Sequence, residues 1–214
     1  NHTIFGFNVD LSSDGRTLAV IKSDALSIYH AIQDGSTAAL SWRHAFLKET
    51  DNFDTHTPGS VAISANGETV AWNVHVDDES RGFVEVFQRV TSDMGDAWTP
   101  KGSVLSLGTY AGGNAYDKAV ALSDSGDTLV MAGPDDTARM YVWQEGSTLE
   151  AGEWVLRGNQ VLYSVTSVAI SGNGNCVAAG FGGNSNTHVK VWCYGDDDTA
   201  QQVGQSLVGS TSNF

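Results

Sequence analysis

Two cysteines, Cys176 and Cys193, carry the most definite chemistry in this chain. A Gly- and Asn-rich run, Gly182 to Asn186, is centred midway between them and reads as a hairpin loop. Antiparallel pairing about that centre sets the two residues opposite one another, about 4.5–5.5 Å apart at Cα, which suits a disulfide. Two buried free thiols, ordinary in a reducing compartment, are the alternative. A bridge places the chain outside the cell or in an organelle lumen; the alternative is cytoplasmic. Asn1-His2-Thr3 is the only N-x-[ST] sequon and makes Asn1 a glycosylation candidate. His56, His75 and Asp77 lie in loops flanking one repeat and could meet around a metal. No H-x-x-H or H-E-x-x-H spacing supports that site, and polar loop residues are the simpler account. No G-x-S-x-G, P-loop or dinucleotide fingerprint occurs, so no enzyme class is marked.

Charge narrows the partners. Eleven basic residues stand against 25 acidic ones, a net charge of −14. Nucleic acid and anionic membrane surfaces reward clustered Lys and Arg, so both are excluded as partners. Charged residues make up only 17% of the chain and hydrophobic ones 41%, which is a folding composition rather than a disordered one. No apolar run is long enough to cross a bilayer as a helix. A start without Met suggests a mature form, a processed form or a fragment. No cofactor is indicated beyond weak calcium binding by acidic loops.

Positioning these groups falls to a repeat. Asn8 to Gly15, Ser60 to Gly67, Ala119 to Gly126 and Ser167 to Gly174 align without a gap, their glycines 52, 59 and 48 residues apart. Within each copy the apolar period is two, as in Val61 and Ile63 or Val168 and Ile170. Asp14-Gly15, Asn66-Gly67, Ser125-Gly126 and Asn173-Gly174 are tight-turn dipeptides. Each copy therefore reads as four antiparallel strands, A to D. The B strands are apolar on both faces, as in Thr128 to Gly133, so each sheet is covered on both sides. Sheets of about 40–50 residues packed face to face around an axis make a β-propeller; a two-sheet sandwich is the alternative. The expected fold is all-β, a propeller of four four-stranded antiparallel blades in one domain over 1–214, with blades near 7–48, 59–106, 117–162 and 166–209.

Thr166 to Gly174, followed by Val177-Ala-Ala-Gly180 and Val189-Lys-Val-Trp192, resembles a WD-repeat blade. Val120 to Ser123, Gly126 and Tyr141-Val-Trp143 resemble one too, and integrin-type extracellular propellers have similar repeats. The likeness implies a propeller and, by family habit, an interaction module. It transfers no catalytic or metal residue.

From this follow expectations to be tested. The four blades close into a ring; four blades of a larger ring is the alternative. Tyr29, Phe87, Trp143 and Trp192 hold one buried position on the C strands. Trp42, Trp98 and Trp154 hold one partly covered position on the outer D strands, where the fourth copy has Ala200. With Tyr110 and Tyr116 of a long loop, these tryptophans are the candidates for a protein contact. Asp10 stands where the other copies have Ala62, Ala121 and Ala169, an unpaired acid facing channel water. The turn end of the ring is acidic with little base beyond Arg16. The expected function is a non-catalytic propeller serving as an interaction or structural subunit of a larger protein assembly. Alternatives are an extracellular glycan- or cation-binding module, and a hydrolase with its site over the central channel.

Overall fold

The structure is a computed structural model that describes residues 5–22, 25–33, 39–50, 56–76, 81–93, 95–109, 119–133, 137–147, 151–158, 162–163, 165–181 and 188–209. No helix occurs among them, so none is long and apolar enough to cross a membrane.

Four antiparallel sheets follow one another as the blades of a β-propeller. Blade 1 holds β1 (Phe5–Leu11), β2 (Thr17–Lys22), β3 (Ala25–Gln33) and β4 (Leu40–Glu49). Blade 2 holds β5 (His56–Ile63), β6 (Thr69–Val76), β7 (Arg81–Ser92), β8 (Gly95–Pro100) and β9 (Leu105–Thr109). Blade 3 holds β10 (Val120–Leu122), β11 (Thr128–Ala132), β12 (Thr137–Gln144), β13 (Glu153–Leu156) and β14 (Leu162–Tyr163). Blade 4 holds β15 (Val165–Ile170), β16 (Cys176–Phe181), β17 (His188–Tyr194), β18 (Ala200–Gln202) and β19 (Leu207–Val208). The extra strands are second halves of a broken D strand, since β9, β14 and β19 pair with the same C strands as β8, β13 and β18. The break falls at Gly102, Gly158 and Gly204, all at positive φ. Blade 1 has Phe46 in that place and its D strand runs on unbroken.

The repeated Ser-x-x-Gly turn explains itself in hydrogen bonds. Ser12, Ser64, Ser123 and Ser171 each accept, through Oγ, the first N–H of the following strand, from Thr17, Thr69, Thr128 and Cys176. Ser12, Ser64 and Ser171 also donate to Asp14, Asn66 and Asn173. The marker glycines have a second duty. A Cβ on Gly67, Gly126 or Gly174 would lie 2.8, 2.4 or 2.5 Å from the Thr Oγ1 of the preceding blade. The repeat therefore conserves its own packing contact as well as its turn.

Three apolar cores form, one at each joint between successive blades. Each draws the A- and B-strand aliphatics of one blade onto small and branched residues of the blade before it. Among the described residues, no strand of blade 4 packs substantially on a strand of blade 1. Among the described residues the expected closed ring is thus corrected to an open arc, with Val9, Leu11 and Trp42 of blade 1 and Val189 of blade 4 left exposed.

The aromatic register needs one correction. Leu18, Val70, Leu129 and Val177 are equivalent B-strand positions, and they pair with Tyr29, Phe87, Tyr141 and Trp192. Tyr141, not Trp143, is the third member. Trp143 lies two residues on, in the place of Tyr194, and both positions show the same face of the strand. The outer set is aligned as expected: Trp42, Trp98, Trp154 and Ala200 pair with Ala31, Arg89, Trp143 and Tyr194.

Candidate functional site

The inner strands stitch the blades together with side chains. Asn8 Oδ1 accepts from Val61 N–H at 3.2 Å, and Asp10 Oδ2 accepts from Ile63 N–H at 2.8 Å. Ser60 Oγ does the same for Val120 N–H at 3.0 Å. Asp10 also takes the N–H of Leu11. It is therefore not an unpaired channel acid; its carboxylate satisfies backbone donors of its own strand and of the next blade.

At the opposite end from the Ser-x-x-Gly turns, blade 2 departs from the repeat. Asn73 stands where the other B strands have Ile21, Ala132 and Gly180. It is buried, and its Oδ1 accepts the N–H of Ser60. A register shift between Pro58 and Val61 brings β5 close at this point. A Cβ on Gly59 would lie 2.8 Å from Asn73 Oδ1, so a larger residue there would push the amide aside. His75 follows Asn73 by two residues, which puts both on the face turned to blade 3. Arg139 of β12, opposite Met131, belongs to the blade 3 face that meets it. A hydroxyl, an amide, an imidazole and a guanidinium thus belong to facing sides of one joint, beside the inner strands. Ser60 and Asn73 are spent on holding the bend of β5, which leaves His75 and Arg139 as the ionisable pair on the two sides of this joint.

His56 pairs with Val76 and His75 with Thr57, on adjacent rungs of β5 and β6. Among the described residues no group of three or more His, Cys, Asp or Glu is placed to hold a metal. Asp77, Tyr110, Tyr116 and Asn1 lie outside the described residues.

The turn end carries more base than its sequence suggests. Lys101 is almost wholly buried, yet its Nζ donates to Gly126 O at 3.0 Å and to Asp127 Oδ1 at 2.7 Å. The ammonium lies 5.3 and 5.5 Å from the ring centroids of Trp143 and Trp154, a cation–π cage. Arg157 repeats the device one joint later. It donates to Gly174 O, to Asn175 and, at 2.8 Å, to Asp198, with its guanidinium 4.9 Å from the Tyr194 ring. A cleft of about 360 Å³ opens there, lined by Thr128, Gln144, Arg157, Asn175 and Asp198 among others. Its cation is already committed, so the cleft is a structural seam.

Cys176 and Cys193 pair directly and form a disulfide with Cα atoms 4.1 Å apart. The outer tryptophans divide. Trp98 and Trp154 are buried in joints, the latter donating through Nε1 to Lys101 O at 2.8 Å, whereas Trp42 is exposed. Partial cover was expected for all three; an outer Trp tucks under the preceding blade instead. Asn73, Lys101, Arg157 and Gly59 escape a search for known motifs. Asn73 was visible as a polar residue in a column of Ile, Ala and Gly.

No protein-family model matches the sequence, and no curated protein does. Solved structures do match in fold. A protein from Lactobacillus plantarum superposes with a TM-score of 0.61 at 16% identity, over 96% of this chain and 55% of its own. A candidate 6-phosphogluconolactonase from Bacteroides uniformis gives 0.58 at 16% identity, over 96% and 55%. Another from Bacteroides fragilis gives 0.60 at 12% identity, with the same coverage. The chain spans just over half the length of these structures. The expectation of a non-catalytic interaction or structural subunit is corrected here: over 96% of its length this chain shares its fold with two structures named as candidate 6-phosphogluconolactonases.

Proposed function

We propose that the chain belongs to a propeller hydrolase that opens a cyclic ester of a sugar acid at the mouth of the central channel. The superposition of 96% of the chain on candidate 6-phosphogluconolactonases supports this reading above any other observation. The joint between blades 2 and 3 supplies groups that suit it. His75 takes a proton from the attacking water and Arg139 steadies the oxyanion that forms at the lactone carbonyl; as the acyl C–O bond breaks, the same proton passes to the ring oxygen, which leaves as a hydroxyl of the opened acid. Ser60 and Asn73 hold the strand bend that shapes this corner. The net charge of −14 repels a phosphate, so a phosphoryl group on the substrate is not required. The disulfide fits a secreted or lumenal setting.

The test follows ring opening of gluconolactone and of its 6-phosphate against the spontaneous rate. Both lactones are expected to open faster with protein present, the neutral one at least as well as the phosphate. His75→Asn and Arg139→Gln each lower the enzymatic rate by about 10²-fold or more. No acceleration of either lactone contradicts the reading. A strict need for the phosphate contradicts the substrate choice.

A further inference from the structure

The first blade turns an apolar face outward whose counterparts in the later blades are buried or half-buried. Val9 is 57% exposed, while the equivalent Val61 and Val120 are 6% and 7% exposed. Leu11 is 49% exposed against 7% for Ile63, and Trp42 is 48% exposed against 7% for both Trp98 and Trp154. Gly15 has nothing within 4 Å of an added Cβ, whereas Gly67, Gly126 and Gly174 press on a threonine of the blade before. Phe5 and Phe7 extend the same exposed patch along β1. At the far end Val189 of blade 4 is 40% exposed, where the equivalent Val84 is wholly buried beneath blade 3.

In blades 2, 3 and 4 one occupant covers these positions: the trailing face of another blade, with its alanines and branched aliphatics. We infer that the outward face of blade 1 is a blade–blade joint whose missing half is a further blade of this same repeat. That blade is carried on the same polypeptide and belongs to a ring that also covers blade 4. Length points the same way. This arc accounts for 55% of each of the three solved chains it matches, which leaves room there for a ring of about seven blades, within the usual range for propellers. A contiguous exposed apolar patch marks a contact surface. The inference rests on burial at equivalent positions and does not depend on the hydrolase reading.

The experiment uses the protein isolated from its source. Its intact mass and peptide sequence are measured, and its tryptophans are oxidised and mapped by mass spectrometry. The expected result is a chain of roughly 40 kDa rather than 22.7 kDa, carrying further copies of the Ser-x-x-Gly repeat. Trp42 should then oxidise as slowly as Trp98 and Trp154. A 22.7 kDa chain that pairs with itself and shields Trp42 overturns the inference in favour of a second copy. A longer chain in which Trp42 oxidises freely overturns it too, as does a lone 22.7 kDa chain.

Discussion

The face that blade 1 presents to solvent and the face that blade 3 presents to blade 2 are built from matching residues. Val9 corresponds to Val120 and Trp42 to Trp154, yet the first pair is wet and the second dry. In a repeat fold, burial belongs to the joint and not to the residue. The same tryptophan is an anchor where a preceding blade exists and an exposed ring where it does not. The joints differ among themselves as well. Lys101 locks the second and Arg157 the third, each reaching a turn carbonyl of the following blade, Gly126 O or Gly174 O. At the first joint Ala45 takes that position, and Trp98 packs instead near His30, ring centroids 6.0 Å apart.

The largest contrast lies between two chemically identical truncations. Trp154→Ala removes a buried indole and should cost about 3–5 kcal/mol in urea unfolding. Trp42→Ala in the 214-residue chain should cost well under about 1 kcal/mol. Equal losses would break the comparison, since they would make Trp42 a core residue.

Next in size is the staple in blade 4, which like blade 1 has one uncovered face. Reducing the Cys176–Cys193 bridge, 17 residues apart, should cost about 3 kcal/mol in the chain-entropy account. Unchanged thermal stability in reductant would show that blade 4 holds without it.

Lys101→Met keeps the apolar stem between the two tryptophans but leaves Gly126 O without its donor. A loss of about 1–3 kcal/mol is expected, larger than for Arg89→Met on the exposed outer pair with Asp96. No difference between them would remove the ammonium from the account of the joint.

The smallest effect is acid sensitivity of the first joint. Burial, and then the nearby Arg89 guanidinium, hold the His30 pKa below its ordinary 6.5. The unfolded chain therefore takes up a proton before the folded one does. The stabilisation is complete above 6.5 and is lost as pH falls toward the lowered folded value. His30→Gln should flatten that part of the stability curve. Asp14, bonded by Ser12, and Asp96, bonded by Arg89, also titrate below their ordinary value, so their share is lost only in stronger acid.

Much of the blade was legible in the sequence because its rules are local. Period-two alternation gave the strands, and Asp14-Gly15 and its counterparts gave the turns. The centred loop gave the pairing of Cys176 with Cys193. What was not legible depends on distance in the chain. Tyr141-Val-Trp143 offers two aromatics on one face of a strand, and only the partner strand says which is equivalent to Tyr29. Asp10 reads as an orphan until Ile63 N–H appears beside it. Lys101 reads as a surface base until two tryptophans close over it. Ring closure was the least legible, because four good blades say nothing of the angle between them.

The open arc is tested most directly by oxidising the 214-residue chain under native conditions and mapping its tryptophans. Trp42 should react about ten times faster than Trp98 and Trp154, which must wait for local opening. Equal protection of all three would mean that blade 4, or another surface of this chain, already covers the first blade, and the open arc would be wrong.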